Sequence, residues 1–224
     1  MGVFAQSDGP RREALKRLSE GLLQRSGRIG VRGNLLEVRH PAAPVFDPTF
    51  LHSASEAFGL SLSLSQDGRA GHGQRVCCDP AQLPFQDGVF SMVLLHHVIG
   101  TGDEVELAEA ARVLARSGVL LVLGLNRLGW RYRAQDEARR LPGLAPLKTK
   151  ARLEQLGLTM QGFAGAGLGG ARRPAFLRDG LPGLATPFAD LLLLQARHRN
   201  DPEVTPLRFS KPRPTVVQSA PMRG

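Results

Sequence analysis

The stretch VFSMVLLHHVIGTGDEVELAEAARVLARSGVLLVLGL, residues 89–125, decides the fold. Its opening part, VFSMVLLHHVI (89–99), is an almost unbroken apolar run, the pattern of a strand buried on both faces as in a parallel sheet. From Glu104 to Leu114 the apolar residues Val105, Leu107, Ala108, Ala111 and Leu114 follow a helical period. Acids gather at the start of this segment and Arg112 and Arg116 near its end, charges that complement a helix dipole. Ser117 and Gly118 stop the helix, and VLLVLGL (119–125) is a second buried strand. Strand, helix, strand in this order is a βαβ unit, with parallel strands and a right-handed crossover.

Upstream, LLEV (35–38) reads as a buried strand closed by Pro41 and Pro44, and GLSLSLSQDG (59–68) alternates so that Leu60, Leu62 and Leu64 share a face. RVCCDP (75–80) is a third short strand, stopped by Pro80. Ahead of these, RREALKRLSEGLLQR (11–25) places Leu15, Leu18, Leu22 and Leu23 on one side of an amphipathic helix. Downstream come a helix TKARLEQLG (149–157) ended by Gly157, a strand from Leu158 that dissolves into glycine by Gly170, and an apolar strand ADLLLLQAR (189–197). The succession implies an α/β, Rossmann-like, doubly wound and mostly parallel sheet in a single domain, residues 34–200. A helical segment (1–33) precedes it and a Pro-rich basic tail (201–224) follows. Ligands of such a sheet bind at the carboxyl ends of its strands.

Composition narrows the class. Over 224 residues, 42% hydrophobic and 22% charged content excludes a fully disordered chain, and no apolar run approaches the roughly 18 residues of a membrane span. The N-terminus lacks the basic start, apolar run and small-residue cleavage site of a secretory signal, so the expected location is the cytoplasm. Adjacent Cys77 and Cys78 cannot staple a fold, and without C-x-x-C or a His/Cys quartet no metal site is expected. The net charge of +9 is concentrated: residues 127–152 hold eight Lys/Arg against Asp136 and Glu137, and residues 197–224 hold six against Asp201 and Glu203. The rest of the chain is near neutral.

Residues 79–118, DPAQLPFQDGVFSMVLLHHVIGTGDEVELAEAARVLARSG, resemble the second half of class I S-adenosylmethionine-dependent methyltransferases of the type 11 group, and the remainder, with LVLGLNRLGWRYR (121–133) and a Pro/Arg tail, resembles a poorly characterised proteobacterial branch of that group with a degenerate first motif. The resemblance rests on Asp79, Leu83-Pro84-Phe85, Asp87, Phe90, the apolar Val93–Leu95, His97, Arg112-Val113-Leu114 and Gly118. It implies that Asp79 accepts a hydrogen bond from the adenine amine of S-adenosyl-L-methionine, that Leu83 and His97 line this cofactor, and that Glu37 stands at the loop after the first strand. The family's Gly-x-Gly-x-Gly positions fall here on Arg39, Pro41 and Ala43, and the second strand ends in Ser63 and Ser65 with Asp67 two residues late.

Each candidate has a plainer role beside the functional one. Asp79 before Pro80 initiates a turn on its own. His96 and His97 close a buried strand, where alternation sends them to opposite sides, so one alone faces the cleft. The resemblance makes His97 that one, as a cofactor contact or catalytic base, and a core histidine is the alternative. Asn126, Arg127, Trp130 and Tyr132, with the chain's only Trp and Tyr amid arginines, form a lid or substrate-recognition element or a solvated helix.

The function expected from this is methyl transfer to a small acceptor. The alternative is a non-catalytic methyltransferase-like module that binds a protein or RNA through its basic segments, a role for which nucleic acid is the less favoured partner. A nicotinamide-dependent oxidoreductase would need Gly-x-Gly-x-x-Gly after the first strand, whereas GAGLGG lies at 165–170.

Overall fold

The computed structural model describes residues 9–25, 33–46, 58–63, 79–100, 104–134, 141–168, 176–177 and 188–199. Strands β1 (Asn34–Arg39), β2 (Phe58–Ser63), β3 (Phe90–His96) and β4 (Leu114–Asn126) lie side by side in the order β2-β1-β3-β4, all parallel. Their register sets Leu36 opposite Val93 and Val93 opposite Leu120. Helix α1 (Gly9–Arg25) precedes them, and α2 (Glu104–Val113) joins β3 to β4, as the βαβ pattern requires. After β4 come the one-turn α3 (Trp130–Arg133), β5 (Gly143–Leu144) paired to the end of β4, and α4 (Pro146–Gln155). Helix α4 begins three residues before the sequence reading placed it, because Pro146 supplies a pre-set φ in the first turn, where its missing N–H costs nothing.

The far side of the sheet is built by β6 (Leu158–Leu168), β7 (Phe176–Leu177) and β8 (Ala189–His198). The last long strand, β8, inserts between β4 and β6 and runs antiparallel to both, giving the order β4-β8-β6-β7. Mostly parallel is thus the correct description of the sheet, with β8 and β7 as the reversed strands.

Continuous apolar runs in β3, β4 and β8 have a direct cause: both faces are covered. On one face Leu36, Val93, Leu95, Leu120 and Val122 pack with Leu107 and Ala110 of α2 and Leu153 of α4. On the other, Leu35, Met92, Leu94, Leu121 and Leu123 pack with Leu18, Leu22 and Leu23 of α1. Burying one such leucine fully contributes about 1.5–3 kcal/mol, so each strand is fastened from both sides. Among the described residues no helix is long and apolar enough to cross a membrane, and no three His, Cys, Asp or Glu side chains are grouped to hold a metal. Residues 75–78 of the expected strand at 75–80, with Cys77 and Cys78, the strand end at Ser65 and Asp67, and the tail 201–224 lie outside the described residues.

Candidate functional site at the carboxyl ends of β1 and β3

From β1 the chain passes to β2 on one side and then returns to β3 on the other, so the carboxyl ends of β1 and β3 flank the point where strand order reverses. Open α/β sheets leave their ligand crevice there. The strand ends meet in register, Arg39 opposite His96, and the ladder is extended by the amide of His40 donating to the carbonyl of His96 at 3.0 Å.

The side chains at this point are polar and buried. Glu37 accepts a hydrogen bond from Nδ1 of His96 at 2.9 Å, with both groups removed from solvent. A carboxylate can only accept, so Nδ1 carries the proton and Nε2 of neutral His96 presents a lone pair. Phe46 stacks on the other side of this imidazole, ring centroids 4.3 Å apart and planes within 3°.

His97 corrects the alternation expected from the sequence. Its φ of 56° takes it out of the strand, and its ring lies 5.0 Å from that of His96, so both imidazoles join one buried cluster. A non-glycine residue in the left-handed region costs on the order of 1 kcal/mol and persists only where its surroundings impose it. Here the His97 amide donates to the carbonyl of Leu123 at 2.7 Å, tying the kink to β4. Both ring nitrogens of His97 and Nε2 of His96 are buried and have no hydrogen-bond partner among the described residues. Burial pushes the pKa of His97 well below the usual value, with the neighbouring His96 and His40 adding to the shift. Burial also lowers that of His96, against the opposing pull of Glu37, and that of His40, with Arg39 adding to it. The cluster is therefore neutral imidazole at physiological pH.

The loop that follows β1 is closed on itself. The amide of Ala42 donates to Nδ1 of His40 at 3.2 Å and that of Ala43 to the carbonyl of His40 at 2.9 Å, while Pro41 has no amide to offer. Two guanidinium groups, from Arg39 and from Arg12 of α1, converge on the carbonyl of Ala43 at 3.0 and 3.1 Å. The loop's amides are thus turned inward, and the carbonyl of Ala43 is held by two cationic side chains.

The remaining predicted residues are placed as follows. Asp79 is exposed and its Oδ1 caps a turn by accepting from the amide of Ala81 at 2.9 Å, which is the turn chemistry read from Asp-Pro. Leu83 is buried in the core, and its backbone is held by the α2 residues Glu109 and Arg112. Arg112 is the hub of the Leu-Pro-Phe motif: it donates to the carbonyls of Leu83 and Phe85 and to the carboxylates of Asp87 and Glu109 at 2.6–3.0 Å. The spacing from Leu83 to Arg112 therefore encodes a loop staple. Those carboxylates raise the pKa of Arg112 and the guanidinium holds that of Glu109 down.

Asn126 is buried and bridges elements, its Nδ2 donating to the carbonyl of Ala189 at 2.7 Å and its Oδ1 accepting from the amide of Leu128 at 3.1 Å. Tyr132 is half-buried with its ring against Gly143, where an added Cβ would come within 2.6 Å of it. Arg127 and Trp130 are exposed. Glu37 and His97 are thus brought into one cluster, and Asn126, Arg127, Trp130 and Tyr132 gather at the end of β4. Sequence reasoning missed Phe46, the pairing of Glu37 with His96, and buried Asp190, whose carboxylate accepts from the amide of Arg131 at 3.3 Å and lies 3.6 Å from its Nε. For Glu37, His96 and Asp190 the signal was a polar residue inside or beside an apolar run; Phe46 carried none.

These observations test the fit of S-adenosylmethionine to the chain. The orphaned buried nitrogens at the reversal point fit a polar ligand of this kind, whereas the first loop offers it no amide at Ala42 or Ala43, both of which are bonded to His40. The residues fit the group at the histidine end of the site.

Comparison with known proteins gives the same frame. A family model described as a methyltransferase domain matches residues 48–122. No curated protein matches the chain. A solved S-adenosylmethionine-dependent methyltransferase from Thermotoga maritima superposes with a TM-score of 0.59 at 12% identity, over 84% of this chain and 93% of that one. Geranyl diphosphate C-methyltransferase from Streptomyces coelicolor, in complex with magnesium, geranyl diphosphate and S-adenosylhomocysteine, gives 0.53 at 12% identity, over 88% of each chain. A [4+2]-cyclase gives 0.53 at 16% identity, over 83% of this chain and 81% of that one. The chain therefore has the Rossmann-like fold of class I methyltransferases, and its residues 48–122 are similar to the methyltransferase-domain family.

Proposed function

We propose that the protein is a cytoplasmic S-adenosylmethionine-dependent methyltransferase acting on a small acceptor, in a branch whose first loop has exchanged glycines for Arg39, Pro41 and Ala43. The observation that carries this reading is His97, buried, kinked out of β3 and without a partner for either ring nitrogen among the described residues, at the reversal point of a methyltransferase fold.

When bound, the cofactor supplies an electrophilic methyl group on a sulfonium. Asp79, with Leu83 anchoring its loop, would hold the adenine end by accepting from its exocyclic amine. Glu37 fixes the tautomer of His96, and His96 and Phe46 pack the floor beneath His97. A neutral His97 can accept the proton of an acceptor hydroxyl or amine, and its lowered pKa keeps it unprotonated well into the acid range. Asn126 and Tyr132 hold the end of β4, from which Arg127 and Trp130 reach the acceptor. Such a transfer needs chiefly alignment and exclusion of water, and His96 and His97 are both shielded from solvent.

Titration calorimetry with S-adenosylmethionine and S-adenosylhomocysteine tests the proposal. Micromolar affinity, about −8 kcal/mol, is expected, weakened by roughly 1–3 kcal/mol in Asp79→Ala. No heat up to millimolar ligand overturns it. That result would favour a second reading, a methyltransferase-fold module without cofactor that binds a protein or RNA, for which the specific observation is that the amides of the first loop are already spent on His40.

A further inference from the structure

Seven large apolar side chains are exposed among the described residues, and the four most exposed are Leu147 (82%), Phe188 (73%), Leu128 (69%) and Trp130 (61%). Although they span sixty residues of sequence, their backbones converge on one place, the carboxyl end of β4. The amide of Leu128 is held by Asn126, and Phe188 adjoins Ala189, whose carbonyl Asn126 also holds. Trp130 follows Gly129, which is packed so closely on β8 that an added Cβ would lie 2.9 Å from Cα of Asp190. Leu147 stands three residues after Leu144, whose carbonyl accepts from the amide of Arg127 at 3.2 Å.

Two arginines, Arg127 and Arg133, are exposed here, the described residues 127–134 contain no Asp or Glu, and the carboxylate of Asp190 is buried against Arg131. Protruding aliphatic and aromatic tips flanked by guanidinium groups match the boundary between lipid headgroups and acyl chains, where Trp is favoured and each basic residue is drawn to anionic headgroups. A nucleic-acid strand would use the arginines and stack on Trp130 but would leave Leu128 and Leu147 in water. The net charge of +9 favours the same anionic surface over long range.

We infer that the carboxyl end of β4 is a docking face for an anionic lipid bilayer, with Leu128, Trp130, Leu147 and Phe188 entering the interface and Arg127 and Arg133 on the headgroups. It needs no cofactor, and it shares Arg127 and Trp130 with the acceptor side of the proposed function, so vesicle binding is read separately from the calorimetry that tests methyl transfer.

Trp130 is the chain's only tryptophan, so its fluorescence reports the face directly. The full chain is titrated with vesicles of phosphatidylcholine alone and of phosphatidylcholine with phosphatidylglycerol. A blue shift with the anionic vesicles alone, reversed by high salt and quenched by lipids brominated on the upper acyl chain, is the expected result. Arg127→Glu should weaken partitioning by roughly ten- to thirtyfold. The double variant Leu128→Asp, Phe188→Asp should abolish it while keeping the native circular dichroism. No shift with either vesicle overturns the inference. So does binding that survives the double variant, which would assign attraction to other basic surface, and so does a shift obtained with polyuridylate but not with vesicles, which would assign the face to nucleic acid. The brominated-lipid quench uses the unaltered chain and decides even if the variants fold poorly.

Discussion

Two places on the same edge of the sheet are built in opposite ways. At the ends of β1 and β3, polar groups that ordinarily seek water are buried: Glu37, His96 and His97, with Phe46 stacked on His96. At the end of β4, apolar groups that ordinarily avoid water stand in it: Leu128, Trp130, Leu147 and Phe188. Buried polar groups are costly unless paired, and exposed apolar clusters are uncommon on monomers. Each place therefore departs from what folding alone would favour, and each is a position where a ligand or a surface would restore the balance.

The contrast predicts unequal responses to substitution. The largest is at the buried cluster, where Glu37→Ala leaves Nδ1 of His96 without its acceptor and should cost about 2–3 kcal/mol in urea unfolding, with Glu37→Gln costing less because an amide oxygen still accepts. A loss under about 0.5 kcal/mol would mean that the pair does not hold the cluster together.

Next is Asp190→Ala, which removes the carboxylate that holds the amide and guanidinium of Arg131. It should cost about 1–2 kcal/mol and shift the emission of Trp130 as the turn loosens. An unchanged spectrum would show that Asn126 alone sets the turn.

Stability should also fall on acidification. The folded pKa values of His40, His96 and His97 are lowered, so the unfolded chain binds more protons just below pH 6.5. Folding is then fully favoured above the unfolded value and loses about 1.4 kcal/mol per pH unit for each proton taken up, until the folded values are passed. Urea midpoints from pH 7.5 to 5 measure the slope, and His97→Gln should reduce it. A flat profile would contradict the buried neutral cluster.

The smallest response is at the end of β4, where Leu128→Ser and Leu147→Ser should change stability by no more than about 0.5 kcal/mol, because neither side chain is in the core. A larger loss would show that this face is covered within the protein and is not a docking surface.

Much of the frame was readable before any coordinates. Unbroken apolar runs at 89–99 and 119–125 announced strands covered on both sides, and the charge order of 104–114 announced the helix between them. The Leu83-Pro84-Phe85 to Arg112 spacing was recognisable, but its physical meaning, a guanidinium stapling two carbonyls and two carboxylates, needed the geometry. Strand alternation misplaced His97, because period two holds only while φ stays extended, and nothing in VLLHHVIG signals the change of sign at that residue.

What lay in the amino-acid order alone is what local physics controls: the hydrophobic period, helix polarity, and the stop signals of Pro and Gly. What needed the tertiary fold is whatever depends on segments far apart in the chain. The reversal of β8 between β4 and β6, the meeting of Glu37 with His96 across 59 residues, and the convergence of Leu128, Leu147 and Phe188 are of this kind. Sequence spacing carries no information on distance once a contact is closed by packing elsewhere in the sheet, so these arrangements exist only in the folded molecule.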